Sequence, residues 1–69
     1  MATLRIRVER RRQQLTQTEL GARSRLSASD ISRIETGRLQ PYPEQARRIA
    51  RALKVSPAEL LDVVEADPQ

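Results

Sequence analysis

Between Pro43 and Leu53 the apolar residues Ala46, Ile49, Ala50 and Leu53 recur at i, i+3, i+4 and i+7, with arginines among them. That period is helical, and Pro43 before it with Val55 and Ser56 after it bound a helix over 43–53. Upstream the apolar positions thin to Leu20, Leu26, Ile31 and Ile34, a wedge of core carried on two shorter segments. Polar residues mark where those segments begin. Thr16 is followed by Glu19, and Ser27 by Asp30, so each hydroxyl is placed to accept from the third helical N–H, with an acid placed to reach back. Ser56-Pro57-Ala58-Glu59 repeats the arrangement, with proline in the first turn where its missing N–H leaves no donor unsatisfied. The last of these starts carries Leu60, Leu61 and Val64 inward on a short fifth helix and leaves Val63 off their line. Gly37 ends the helix opened by Ser27, because the left-handed position after a helix costs glycine least.

The first segment is less regular. Leu4, Val8 and Leu15 lie near one helical face, Ile6 does not, and positions 11 and 12 are arginine, so a helix over 3–13 is expected with its buried side open. No stretch alternates like a strand, and there is no internal repeat or low-complexity segment. The expectation is an all-α fold of five helices in one domain over residues 1–64, with the acidic tail 65–69, ending Asp-Pro-Gln, frayed. A chain of 69 residues has a small core, so its stability comes from tight packing of short helices or from an oligomer interface.

Composition narrows the chemistry. The chain has no cysteine and no histidine, which removes disulfides, thiolate chemistry, the usual zinc ligand sets and the commonest general base. No metal and no cofactor are expected. MATLRIRVERRRQQ has no long apolar run, so it reads neither as a signal peptide nor as a membrane span, and a cytoplasmic protein of a bacterium or phage is expected.

The net charge of +4 is unevenly spread. Residues 1–38 hold nine Arg against four acids (+5), and residues 39–69 hold four basic residues against five acids (−1). Twelve of the thirteen basic residues are Arg, whose planar fork suits phosphates and guanine edges, although a high-GC genome would enrich arginine everywhere. Clustering therefore weighs more than the bias. Arg47, Arg48, Arg51 and Lys54 fall mostly off the apolar stripe of their helix and read as a solvated face.

Taken in order, Leu15-Thr16-Gln17 with Glu19-Leu20, Ile31 to Arg38 (ISRIETGR), Pro41, Ile49 to Leu53 (IARAL), Val55-Ser56-Pro57 and Glu59-Leu60-Leu61 resemble the Cro and phage-repressor (XRE) helix-turn-helix family. The likeness runs over roughly residues 4–62. It implies a five-helix, lambda-repressor-like DNA-binding domain whose third helix enters the major groove while the second bridges the backbone, a docking geometry well known for repressors of this type. Three positions depart from the family pattern. Arg25 stands where the turn usually holds glycine, Ser24 where an apolar residue is usual, and Gly21 where alanine is usual, so a less stable second helix is expected.

The resemblance also implies site residues. Ala28, Ser29, Ser32 and Arg33 match the base readers; Arg33 suits a guanine O6/N7 pair and Ala28 a thymine methyl, while Ser29 and Ser32 are either readers or plain solvent-facing residues. Phosphate contacts are expected from Arg10, Thr16, Gln17, Thr36, Arg38, Gln40 and Tyr42, with Gln17 near the free N–H groups of a helix start. Tyr42 either serves there or packs its ring over the fourth helix. Glu35 would repel phosphate unless neutralised, and the family likeness pairs it with Arg10.

Two function classes follow. The first is a sequence-specific regulator of transcription, most simply a repressor, binding double-stranded DNA as a homodimer on two half-sites, with Leu60, Leu61, Val63 and Val64 as candidate dimer contacts and core closure as the alternative for Leu60 and Leu61. The second is an antitoxin or adaptor that holds another protein, such as a toxin; the inferred reading surface is basic and small-sided where a protein-binding face would expose apolar anchors. An enzyme is not expected, because the acids and serines have places as caps or surface residues and no phosphate-cradling glycine loop exists.

Overall fold

A computed structural model describes residues 2–65 of the chain, with side chains over 3–64. The chain runs β1 (Ala2–Leu4), α1 (Arg5–Arg12), α2 (Gln17–Ser24), α3 (Ala28–Glu35), α4 (Pro43–Leu53), a single 3-10 turn (Pro57–Glu59) and β2 (Val63–Glu65). Helix α4 spans the residues its periodicity predicts. Its N-terminus is closed by the Tyr42 N–H donating to Gln45 Oε1 at 2.9 Å.

The ends of the chain correct the all-α, five-helix expectation. β1 and β2 pair antiparallel, Thr3 opposite Val64 and Leu4 opposite Val63, so helix one begins at Arg5 and not at residue 3. Leu4 stays extended (φ −79°, ψ 144°) with no side-chain cap, and the first helical donors find partners across the chain: Arg5 N–H donates to Asp62 O (2.8 Å) and Ile6 N–H to Leu60 O (2.9 Å). This docking buries Ile6 completely, although the helical pattern placed it off the apolar face.

The expected fifth helix is also replaced. Ser56 makes no side-chain cap, and the bonds Glu59 N–H to Ser56 O (3.0 Å), Leu60 N–H to Pro57 O and Asp62 N–H to Glu59 O are all of i to i−3 type. One tight turn brings Leu60 into the core and releases the chain, extended, by Val63; Val64 therefore lies on a strand. Glu65 belongs to that strand, and the rest of the tail expected to fray lies outside the described residues.

The core is one cluster: Ile6 from α1, Leu20 from α2, Ile31 and Ile34 from α3, Ile49 and Leu53 from α4, and Leu60, all 1% exposed or less. Each short helix contributes only one to three side chains, α4 adding Ala50, so none is stable without the others. Gln13 ties the end of α1 to the end of α4 by donating from Nε2 to Leu53 O at 2.7 Å. None of the described helices is long and apolar enough to cross a membrane.

Candidate nucleic-acid interface

Helix α2 opens as its sequence predicts. Glu19 N–H donates to Thr16 Oγ1 (3.0 Å) and Thr16 N–H donates to Glu19 Oε1 (2.9 Å), completing a capping box. The Thr16 backbone N–H, followed by its hydroxyl, holds the Glu19 carboxyl below the usual carboxylate range. At its other end α2 closes on Arg25, which is left-handed (φ 61°, ψ 42°). The N–H groups of Arg25 and Leu26 both donate to Gly21 O, the second at 2.8 Å.

Gly21 thereby acquires a reason the sequence comparison of helix residues does not give. Leu26 doubles back over it so closely that a Cβ at this position would lie 2.5 Å from Leu26 O. Ser24, unusual as a buried position, is satisfied by donating from its hydroxyl to Leu20 O at 2.7 Å. Its own carbonyl accepts from Arg48 Nε at 2.8 Å, so α4 grips the C-terminus of α2. Arg48 is the exception on the solvated face of α4, and no pattern in the sequence distinguishes it from Arg47, which pairs with Glu44 at 2.9 Å while Arg48 stands 4.0 Å from the same carboxylate.

Because left-handed geometry costs a residue with a Cβ roughly 1 kcal/mol or more, relieving it at Arg25 should help the fold. Arg25→Gly is expected to raise stability by about 1 kcal/mol and Tm by several degrees, read by thermal denaturation. A lower Tm would mean that the arginine stem contributes more by packing than its backbone costs.

Helix α3 begins with Asp30 N–H donating to Ser27 Oγ at 3.0 Å. Its two sides separate cleanly. Ile31, Ile34 and Glu35 are buried, while Ser29, Arg33 and Thr36 are exposed with Ala28 and Ser32 half-buried beside them. All five on the outward side follow the i, i+3/i+4 spacing of one helical face, so the four expected base readers stand together on a single rod. Arg33 is the only long side chain among them and is 61% exposed.

Glu35 sits where a bare carboxylate would repel DNA, and its charge is fully engaged. Arg10 donates from Nε to Oε2 (2.6 Å) and from Nη2 to Oε1 (3.2 Å), and Gln17 donates from Nε2 to Oε1 (3.1 Å). The Glu35 side chain is 2% exposed. Arg10 also donates from Nη1 to Leu15 O at 2.7 Å, so all three of its guanidinium nitrogens work inside the protein and little is left for a phosphate. Gln17 likewise turns an amide hydrogen inward; what it offers outward is its backbone N–H in the first turn of α2. One carboxylate thus fastens α1, the start of α2 and the end of α3 together.

Beyond α3 the chain turns at Gly37 (φ 77°), and burial alternates: Leu39 is half-buried and Pro41 buried, while Arg38, Gln40 and Tyr42 are exposed. The inward pair anchors the loop and the outward three present a donor-bearing row. Tyr42 is 73% exposed, which excludes the packed-ring alternative. Thr36 donates its hydroxyl to Ser32 O (3.1 Å) and Arg33 O within α3, whereas the Thr16 hydroxyl oxygen accepts from Glu19 N–H in the α2 cap.

Two helices at a tight turn, the second bearing a small-sided, arginine-tipped outward face, define a DNA-binding helix-turn-helix. A family model described as a helix-turn-helix domain matches residues 2–63, nearly the whole chain, and the chain belongs to this family of DNA-binding domains. A comparison with curated proteins found no match.

Proposed function

We propose that the protein is a sequence-specific transcriptional regulator of the Cro and phage-repressor type, which lays α3 in the major groove and represses by occupying its site. It acts in the cytoplasm, by binding alone. The single observation that carries this reading is the outward face of α3, where Ala28, Ser29, Ser32 and Arg33 stand together and the one acid at the end of that helix, Glu35, is buried against Arg10 and Gln17. Side chains this short let the helix approach base edges closely, and Arg33 supplies the reach and the fork that guanine recognition needs. Backbone contacts come from the α2 start and from Arg38, Gln40 and Tyr42.

One such domain buries only about 600–1,000 Å² on DNA, so useful specificity calls for two copies on two half-sites. Among the four candidate dimer residues, Leu60 is 1% exposed and spent on the core, whereas Val63 is 69% exposed on the short strand β2 and is the contact we favour.

Selection of bound duplexes from a random pool, followed by titration at several salt concentrations, tests the reading. The expected result is a two-fold symmetric site and a steep fall of affinity with salt, from release of counterions at the phosphates. Arg33→Ala should relax preference at one base pair by ~1–3 kcal/mol while leaving the others intact. A uniform loss at every position would make Arg33 a phosphate contact. Equal binding to all duplexes, with a stoichiometric protein partner in its place, would favour the antitoxin or adaptor class.

A further inference from the structure

The two helix starts differ in a way that their matching sequence patterns hide. In α2 the acid at the third helical position returns to the cap, Glu19 Oε1 accepting from Thr16 N–H. In α3 only half of that exchange is made: Ser27 Oγ accepts from Asp30 N–H, and no bond returns from the Asp30 carboxylate to the Ser27 backbone. Aspartate is one methylene shorter than glutamate. Its carboxylate, 35% exposed, instead has Oδ1 3.9 Å from Arg33 Nη1, an ion contact across one helical turn at the flank of the reading face and longer than a hydrogen bond.

On this surface that contact has a consequence. Ala28, Ser29 and Ser32 are too short to confine the Arg33 side chain, so an unaccompanied guanidinium there would be free to reach a phosphate or any base acceptor. Among the described residues Asp30 is the carboxylate beside it, since Glu35 is buried elsewhere. We infer that Asp30 is a specificity-determining residue that works together with Arg33, so that the pair matches guanine–cytosine. This rests on the base-reading role proposed for Arg33.

The chemistry follows from the groove edge of each pair. Guanine–cytosine presents two adjacent acceptors, N7 and O6, and then the donor N4 amino group. A guanidinium with a carboxylate at its flank is the complementary series of two donors and an acceptor. Adenine–thymine places the donor N6 where the arginine expects an acceptor, and thymine O4 where the carboxylate expects a donor. The same carboxylate repels phosphate, which keeps Arg33 from being diverted to the backbone.

Selection from a random duplex pool with the full chain, its Asp30→Ala variant and its Arg33→Ala variant tests this. Thermal denaturation first establishes that each variant is folded at the binding temperature; alanine is the strongest helix former, so α3 has no reason to unwind. The expected result is that Asp30→Ala lowers the preference for guanine–cytosine over adenine–thymine by roughly tenfold at the same single base pair that Arg33→Ala relaxes. Preference elsewhere and the affinity for unrelated duplex should not fall. A merely structural cap would weaken all positions alike, and that outcome overturns the inference, as does an unchanged guanine preference in Asp30→Ala. If Arg33→Ala alters no base preference, the reading role of Arg33 fails and the inference with it; if Arg33→Ala does and Asp30→Ala does not, only the part given to Asp30 is lost.

Discussion

Glu35→Ala is expected to cost about 3 kcal/mol, because it leaves the largely buried Arg10 guanidinium without its counterion and strips Gln17 of its acceptor. For a domain of this size each kcal/mol moves Tm by about 4–8 °C, so the loss is on the order of 15 °C or more and is read directly by thermal or urea denaturation. The pair is coupled, which gives a sharper form of the test. Removing both partners, Arg10→Ala with Glu35→Ala, should cost clearly less than the sum of the single changes, since no uncompensated charge then remains. Glu35→Gln keeps an acceptor for Gln17 but not the charge, and should lie between the wild type and Glu35→Ala. DNA affinity should fall with each variant even below its melting range, because the carboxylate fixes the start of α2 against the end of α3 and thereby sets which residues meet the backbone together. Additive single effects, or Glu35→Gln unchanged in both stability and affinity, would remove this carboxylate from any role in holding the reading surface.

What the sequence made legible was what local physics decides. Helix α4 follows from eleven residues with one apolar stripe and a proline at the start, and the α2 cap from a threonine and a glutamate three residues apart, so both could be read in place. The four residues on the outward face of α3 came from the family resemblance, and their i, i+3/i+4 spacing on one helix is what places them together. The strands were not legible, because Ala2–Leu4 and Val63–Glu65 are too short to show alternation and exist only through each other, across the whole length of the chain. Ile6 illustrates the consequence: its burial is set by the docking of the chain ends and by the Leu60 carbonyl that accepts its N–H, not by the period of α1. Arg48 belongs to the same class. Its grip on the Ser24 carbonyl depends on where α4 lands, and a neighbouring arginine of equal appearance pairs with Glu44.

Gly21 shows the local and the long-range arguments giving opposite signs, and it therefore yields the most decisive substitution. Helix propensity alone says that Gly21→Ala should stabilise α2 by about 0.5–1 kcal/mol. The added methyl, however, would stand 2.5 Å from Leu26 O, 3.3 Å from Ser27 C and 3.4 Å from Ala28 N, all of them backbone atoms that no rotamer change can move aside. Something in the turn must shift, and overpacking of this kind costs ~1–3 kcal/mol. The expected outcome is a net fall in stability, with a loss of DNA affinity larger than the fall in folded fraction explains, because the displaced segment is the one that aims α3. Ala22→Gly, at an exposed position of the same helix, serves as the measure of propensity without the clash. Arg25→Gly relieves the same turn from its other side, so the two changes at neighbouring points should move Tm in opposite directions. A Gly21→Ala variant that is more stable than the wild type would mean that Leu26 does not close over α2 at all, and that the reading helix is set by a different turn.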